Sequence, residues 1–211
     1  MTTILHSDDH PLMIDSVKAL LESFVPNVHT EYALNGDQAF EKIKNKDYDL
    51  IILDISMHGK DPVSLIMETL TLRPLTKILI LSMHEEALYA KRYYQAGVKG
   101  YVTKQSETGE IIKAINTVLS GRKYVSAALA DIFAADGLAN NTTNPFERLS
   151  NRELEVVQHL VLGQSSSEIS NILRIKPSTV GTLKSRIFEK LNCSNVIDIT
   201  YLAKVNNINR A

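Results

Sequence analysis

The chain has 211 residues, 44% of them hydrophobic, and a formal net charge of −1. That is enough chain for one or two packed cores and an ordinary globular composition, which excludes a disordered or fibrous polymer. A single cysteine, Cys193, excludes an internal disulfide. No apolar run nears the length of a membrane span, and Met1-Thr2-Thr3 leads straight into an apolar run, so no signal peptide, no membrane and a cytoplasmic location are expected. The small net charge hides a split. Residues 1–120 carry 12 Lys+Arg against 16 Asp+Glu, residues 121–149 carry 3 against 3, and residues 150–211 carry 8 against 5, giving −4, 0 and +3. An acidic front and a mildly basic back fit a phosphate and metal domain joined to a nucleic-acid domain, although +3 is too small to carry that claim alone.

Short, β-rich, unalternated apolar runs near 3–7, 28–34, 49–53, 77–82 and 99–103 read as buried parallel strands. Helical patterns near 11–24, 36–45, 62–73, 86–96 and 106–120 alternate with them, which predicts an α/β class with a five-stranded doubly wound parallel sheet. Asn35-Gly36 and Ala96-Gly97 are turn and helix-end signals. A short helix is expected over 127–135, and the small, polar stretch 136–145 reads as a flexible linker.

Four of these strands end in residues that handle phosphate. The first runs into Asp8-Asp9, the third ends at Asp54, the fourth at Ser82 and the fifth at Lys104. In open α/β sheets the carboxyl ends of the strands line the ligand crevice, so these groups converge at one sheet edge. Three close carboxylates repel unless a hard cation such as Mg²⁺ sits between them. A lysine and a hydroxyl opposite them suit the oxygens of a phosphoryl group, so the set reads as a site for moving phosphate onto a carboxylate. Taken singly, each residue also has a plain reading. Asp8-Asp9 ahead of His10-Pro11 could cap a helix; Asp54 could be a turn residue, Ser82 a loop hydroxyl, Tyr101 a core aromatic and Lys104 a solvated cation. The ordered series of strand ends favours the functional reading.

The second half is punctuated by helix signals. Ser150-Asn151-Arg152-Glu153 is a capping box opening a helix whose Leu154, Val157, Leu160 and Val161 share a face, and Gly163 suits the position past its end. Ser165-Ser166-Ser167-Glu168 is a second box, followed by Ile169, Ile172 and Leu173. Pro177 fits the first position of a third helix, in which Val180, Leu183, Ile187 and Leu191 form an apolar stripe. A short helix, a turn and an amphipathic third helix make a helix-turn-helix, whose last helix would enter the major groove. Ser178, Thr179, Gly181, Thr182 and Ser185 are the expected DNA-facing positions. Lys184 is expected to reach phosphate and Arg186 the groove wall or a base edge.

Together these motifs resemble a two-component response regulator of the NarL/FixJ type over nearly the whole chain, with a receiver at 1–121, a connecting helix and linker at 122–146 and a LuxR-type helix-turn-helix at 147–211. The LuxR-type pattern is carried by Leu149-Ser150-x-Arg152-Glu153, Gly163, Glu168-Ile169, Thr179-Val180 and Ile187-x-x-Lys190-Leu191. The resemblance implies that Asp54 is phosphorylated by a sensor histidine kinase. It also implies that Asp8, Asp9, Asp54 and the Ser56 carbonyl bind Mg²⁺, and that Ser82 and Lys104 contact the phosphoryl group. Tyr101 is then an aromatic switch that turns inward with Ser82, and the phosphorylated form is a homodimer on promoter DNA. The chain departs from the family at Gly181, where lysine is usual, and at Leu183, where histidine is frequent. His58 after Met57, Pro62 and Gln105 depart beside the phosphoacceptor. Two other readings stay open: a receiver whose second domain binds protein, and a metal-dependent phosphatase using the same carboxylates.

Overall fold

The computed structural model describes residues 1–138, 144–206 and 208. The chain divides into two compact units, Met1–Leu138 and Ala139–Ala211.

In the first unit the strands are β1 (Thr2–Ser7), β2 (Val28–Ala33), β3 (Leu50–Leu53), β4 (Lys77–Ser82) and β5 (Gly100–Thr103). All pair in parallel, in the order β2-β1-β3-β4-β5. The helices α1 (Pro11–Phe24), α2 (Gly36–Asn45), α3 (Pro62–Leu72), α4 (Glu86–Ala96) and α5 (Thr108–Leu119) alternate with them. Side-chain alternation along the strands sorts the core into two layers. Ile4, Leu50, Ile52, Leu79, Leu81 and Val102 pack with Val17 and Leu21 of α1 and Ile111, Ala114, Ile115 and Val118 of α5. Leu5, Ile51, Leu53, Ile78, Ile80 and Tyr101 are buried on the opposite pleat, the side on which Tyr93 of α4 packs. Both faces are covered, so the strands read as unbroken apolar runs.

Local signals explain the helix ends. Asn35 accepts from the Gln38 N–H and Asp61 from the Ser64 N–H, each capping the helix that follows, and Pro62 occupies the first turn of α3. Gly97 ends α4 at φ 107°, a conformation that favours glycine. A further helix, α6 (Ala127–Leu138), runs three residues into the stretch read as linker. The chain leading into it is fastened to α4: the Tyr94 hydroxyl donates to the Tyr124 carbonyl, Ser126 bonds Glu86, and the Tyr94 and Phe133 rings meet edge-on at 5.7 Å. Asn144 and Pro145, also read as linker, open a 3₁₀ turn, Pro145–Arg148, with Asn144 accepting from the Phe146 N–H. The remainder of the expected linker, 139–143, lies outside the described residues.

The second unit holds α7 (Asn151–Val161), α8 (Ser166–Ile172), α9 (Pro177–Leu191) and α10 (Val196–Val205). Both expected capping boxes are formed, at Ser150/Glu153 and Ser165/Glu168. Val180, Leu183, Ile187 and Leu191 are the buried face of α9. Ile172 is exposed; α8 has only two turns and buries Ile169 and Ser170. The fourth helix, α10, goes beyond the elements expected from sequence, although Asn195 and Asp198 form a third capping box at its start.

Candidate functional site

Strand order reverses between β1 and β3, and there the carboxyl ends of the strands open a crevice. Ladder bonds continue one residue past the strands and fix the directions of the side chains that follow. The Asp8 N–H donates to the Ala33 carbonyl (3.0 Å), Asp54 to Ser7 (2.9 Å) and Lys104 to Ser82 (2.8 Å). Asp8 and Asp54 are buried, Asp9 is half-buried, and the Lys104 side chain is buried with them. The Lys104 ammonium lies 2.6 Å from Asp8 Oδ2 and 2.7 Å from Asp54 Oδ2. Burial alone would lower its pKa; Asp54 and Asp8 outweigh that and hold it above the usual lysine value, so it stays charged. The other Asp54 oxygen accepts from the Ser56 N–H at 3.0 Å. Asp54 is therefore held at both oxygens.

Ser82 is fully buried, and its Oγ accepts from the His84 N–H at 3.3 Å. Tyr101 is also fully buried; its hydroxyl donates to the His84 carbonyl at 3.0 Å, and its ring centre is 6.2 Å from that of Tyr93. Burial raises its phenol pKa well above the usual value. Packing against Tyr93 and the hydrogen bond to the His84 carbonyl hold the ring in the inward position.

Two histidines join the site that sequence reasoning placed only as a helix-cap neighbour or passed over. His10 Nδ1 stands 2.8 Å from Asp9 Oδ1 and 3.2 Å from Asp8 Oδ1, and the His10 backbone N–H donates to Asp8 Oδ1 at 2.9 Å. His6 is buried on β1 with Nε2 3.8 Å from Asp8 Oδ2; burial outweighs the pull of Asp8 and lowers its pKa to about 4. The run Asp8-Asp9-His10 was the available signal for the first, and a histidine in an otherwise apolar strand for the second. Asp8, Asp9, His10 and Asp54 each offer a ligand atom within 4.8 Å of the others. Carboxylate oxygens at that spacing, those of Asp8 and Asp54 already beside the Lys104 ammonium, fit a hard divalent cation.

In the second unit, Ser178, Thr179, Gly181, Thr182, Ser185 and Arg186 are exposed on α9, and Lys184 is half-buried with Nζ 5.7 Å over the Phe188 ring. Thr182 and Ser185 turn their hydroxyls back to the Ser178 and Gly181 carbonyls. The helix is braced from behind. Lys190 donates to Glu153 at 2.7 Å across α7 and α9, and the Arg152 guanidinium donates to the Leu173 carbonyl at 2.6 Å.

Residues 4–116 match the response regulator receiver domain family, and residues 147–203 match the LuxR family of bacterial regulatory proteins. The chain is 30% identical over 204 residues to the response regulator UvrY of Escherichia coli K12, covering 96% of this chain and 94% of that protein. This protein is a two-component response regulator. It belongs to the NarL/FixJ group, with a receiver and a LuxR-type DNA-binding domain, and the expected fold class and resemblance are borne out. Among solved structures, this response regulator is similar to RcsB of Salmonella typhimurium, with a TM-score of 0.64 and 25% identity, covering 97% of this chain and 98% of that one. A second RcsB structure, from Salmonella enterica serovar Typhimurium bound to promoter P1flhDC in the presence of the phosphomimetic BeF₃⁻, has the same fold at a TM-score of 0.63 and 24% identity, covering 96% and 98%. No described helix is long and apolar enough to cross a membrane.

Proposed function

We propose that this response regulator is a phosphorylation-gated transcription factor in which Asp54 accepts a phosphoryl group from a sensor histidine kinase. The observation that carries the reading is the setting of Asp54. It is buried, held by the Ser56 N–H on one oxygen, and faces the Lys104 ammonium with the other. An Asp54 oxygen attacks phosphorus, the O–P bond forms, and the N–P bond of the kinase phosphohistidine breaks. Lys104 then exchanges a carboxylate oxygen for a phosphoryl oxygen, an interaction that strengthens as charge develops on the transferring group. Asp8, Asp9, Asp54 and the Ser56 carbonyl would hold Mg²⁺, which supplies charge neutralisation along the in-line path. Ser82, at the end of β4, offers its hydroxyl to another phosphoryl oxygen. No turnover of a separate substrate is assigned; the protein is a regulatory acceptor that loses its phosphoryl group slowly to water.

The new charge shifts a pre-existing equilibrium, and roughly 5 kcal/mol of differential stabilisation separates mostly off from mostly on. Several charge-assisted bonds in a half-buried site are of that size. The new dianion draws in Ser82, Tyr101 turns inward into the space vacated, and the surface carrying β4, α4 and β5 repacks. The product is a homodimer that presents two α9 helices to two half-sites of promoter DNA in the cytoplasm. Ser178, Thr179, Gly181, Thr182 and Ser185 form the groove face, Lys184 meets phosphate and Arg186 meets the groove wall or a base edge. Selection from a random DNA pool, with and without a small-molecule phosphodonor and Mg²⁺, tests the reading. A repeated half-site enriched by wild type plus donor, and not by Asp54→Asn, supports it. Equal enrichment in every condition removes the phosphorylation gate, and no enrichment removes DNA as the target.

A further inference from the structure

The middle of α9 turns its hydroxyl protons inward. Thr182 and Ser185 are exposed, yet the Thr182 hydroxyl donates to the Ser178 carbonyl at 3.0 Å and the Ser185 hydroxyl to the Gly181 carbonyl at 3.2 Å. A hydroxyl bonded back to the preceding turn keeps only its lone pairs for a partner. Threonine carries a methyl group on the same carbon, and with the oxygen committed that methyl is what Thr182 offers outward. Gly181 offers bare backbone. A Cβ there would meet no heavy atom within 4 Å, so the packing of the unit does not call for glycine, and a helix interior disfavours it. Of the two cations on this stretch, Lys184 leans over the Phe188 ring and Arg186 is exposed.

The C5 methyl of thymine is the apolar feature of base edges in the major groove. A methyl group, acceptor oxygens and bare backbone match that methyl and the adenine amino group of the same pair. At Gly181, Thr182 and Ser185 no side-chain proton is left for guanine O6 or N7. We infer that α9 reads a T·A pair through the thymine C5 methyl, with Thr182 Cγ2 as the group that meets it and Gly181 as the gap that lets the helix approach. Thr182 and Gly181 are then specificity-determining, and guanine recognition falls to Arg186. This rests on the reading of α9 as the groove helix.

The test uses the full chain, with phosphodonor and Mg²⁺, on a duplex carrying the half-site enriched from the random pool. Each thymine is replaced in turn by deoxyuridine, which removes the C5 methyl and nothing else. At one position of the half-site, wild-type affinity should fall about fourfold, the effect of one buried methyl group. Thr182→Ser keeps the hydroxyl and loses the methyl. It should bind the thymine duplex about fourfold more weakly and no longer distinguish thymine from deoxyuridine at that position. Gly181→Ala should bind about tenfold more weakly, through crowding against the groove, with its thermal midpoint no lower than wild type. Specific binding with no deoxyuridine effect, or a deoxyuridine penalty that survives in Thr182→Ser, overturns the methyl readout and leaves DNA binding in place. Undiminished binding by Gly181→Ala overturns the close approach. Failure of the wild type to prefer any duplex, with or without donor, overturns the groove reading itself.

Discussion

Lys104 and Asp54 are joined, ammonium to carboxylate at 2.7 Å. The same ammonium also holds Asp8, so one positive charge serves two buried carboxylates. Removing it as Lys104→Ala leaves both uncompensated, a change that costs about 3–5 kcal/mol for a broken buried pair. Added Mg²⁺ should recover most of that loss and bind the variant more tightly than wild type, since no ammonium competes. Urea unfolding followed with and without Mg²⁺ measures both. A variant as stable as wild type in chelator would show that Lys104 does not balance the pocket.

Tyr101 is a second handle on the receiver. Tyr101→Phe removes only the bond to the His84 carbonyl and should cost about 1 kcal/mol. Tyr101→Ala empties a fully buried site and should cost about 3–5 kcal/mol. More telling is the hydroxyl proton, which should be protected from exchange in nuclear magnetic resonance spectra of the unphosphorylated protein. Protection that appears only after phosphodonor treatment would tie the inward position to phosphorylation.

Glu153 ties the end of α9 to the start of α7. Burial alone would raise its pKa, but Lys190 together with the Ser150 N–H and hydroxyl holds the carboxyl below its usual 4.5. A depressed carboxylate contributes stability that is present above its unfolded pKa and lost as pH falls through the folded value. Glu153→Gln should therefore cost about 2 kcal/mol at neutral pH, and the gap to wild type should close as pH falls below that range. Hydrogen exchange of α7 and α9 amides across the series reads this; a gap that stays constant with pH contradicts it.

On the exposed face of α9, a side chain at Gly181 would meet no heavy atom within 4 Å. Gly181→Ala should stabilise α9 by about 1 kcal/mol through helix propensity alone. Arg186→Ala and Lys184→Ala should each lower the slope of log affinity against log salt by about 1, if each side chain meets one phosphate. An unchanged slope for Arg186→Ala with altered base preference would instead place its guanidinium on a base edge.

The sheet was legible because buried parallel strands are short apolar runs, and each expected range is met within one or two residues at its ends. The convergence of Asp8, Asp54 and Lys104 was equally legible, since parallel strands deliver their last residues to one edge. The inward state of Tyr101 was not legible, because a rotamer depends on Tyr93 and His84 from other elements and leaves no mark on local spacing. His10 was hidden by its helix-start setting, where Pro11 made capping the sufficient explanation. The end of α6 was misplaced because Asp136-Gly137 carries the composition of a turn, yet the helix runs on to Leu138.

Neighbouring tyrosines on α4 look in two directions. Tyr93 packs against Tyr101 beside the acceptor crevice, and Tyr94 grips Tyr124 and Phe133, at and beyond the root of α6. A single turn of helix is thus shared by the sensing edge of the sheet and the last helix of the receiver unit. Displacing that turn also displaces the footing of α6, from which the chain leaves the receiver.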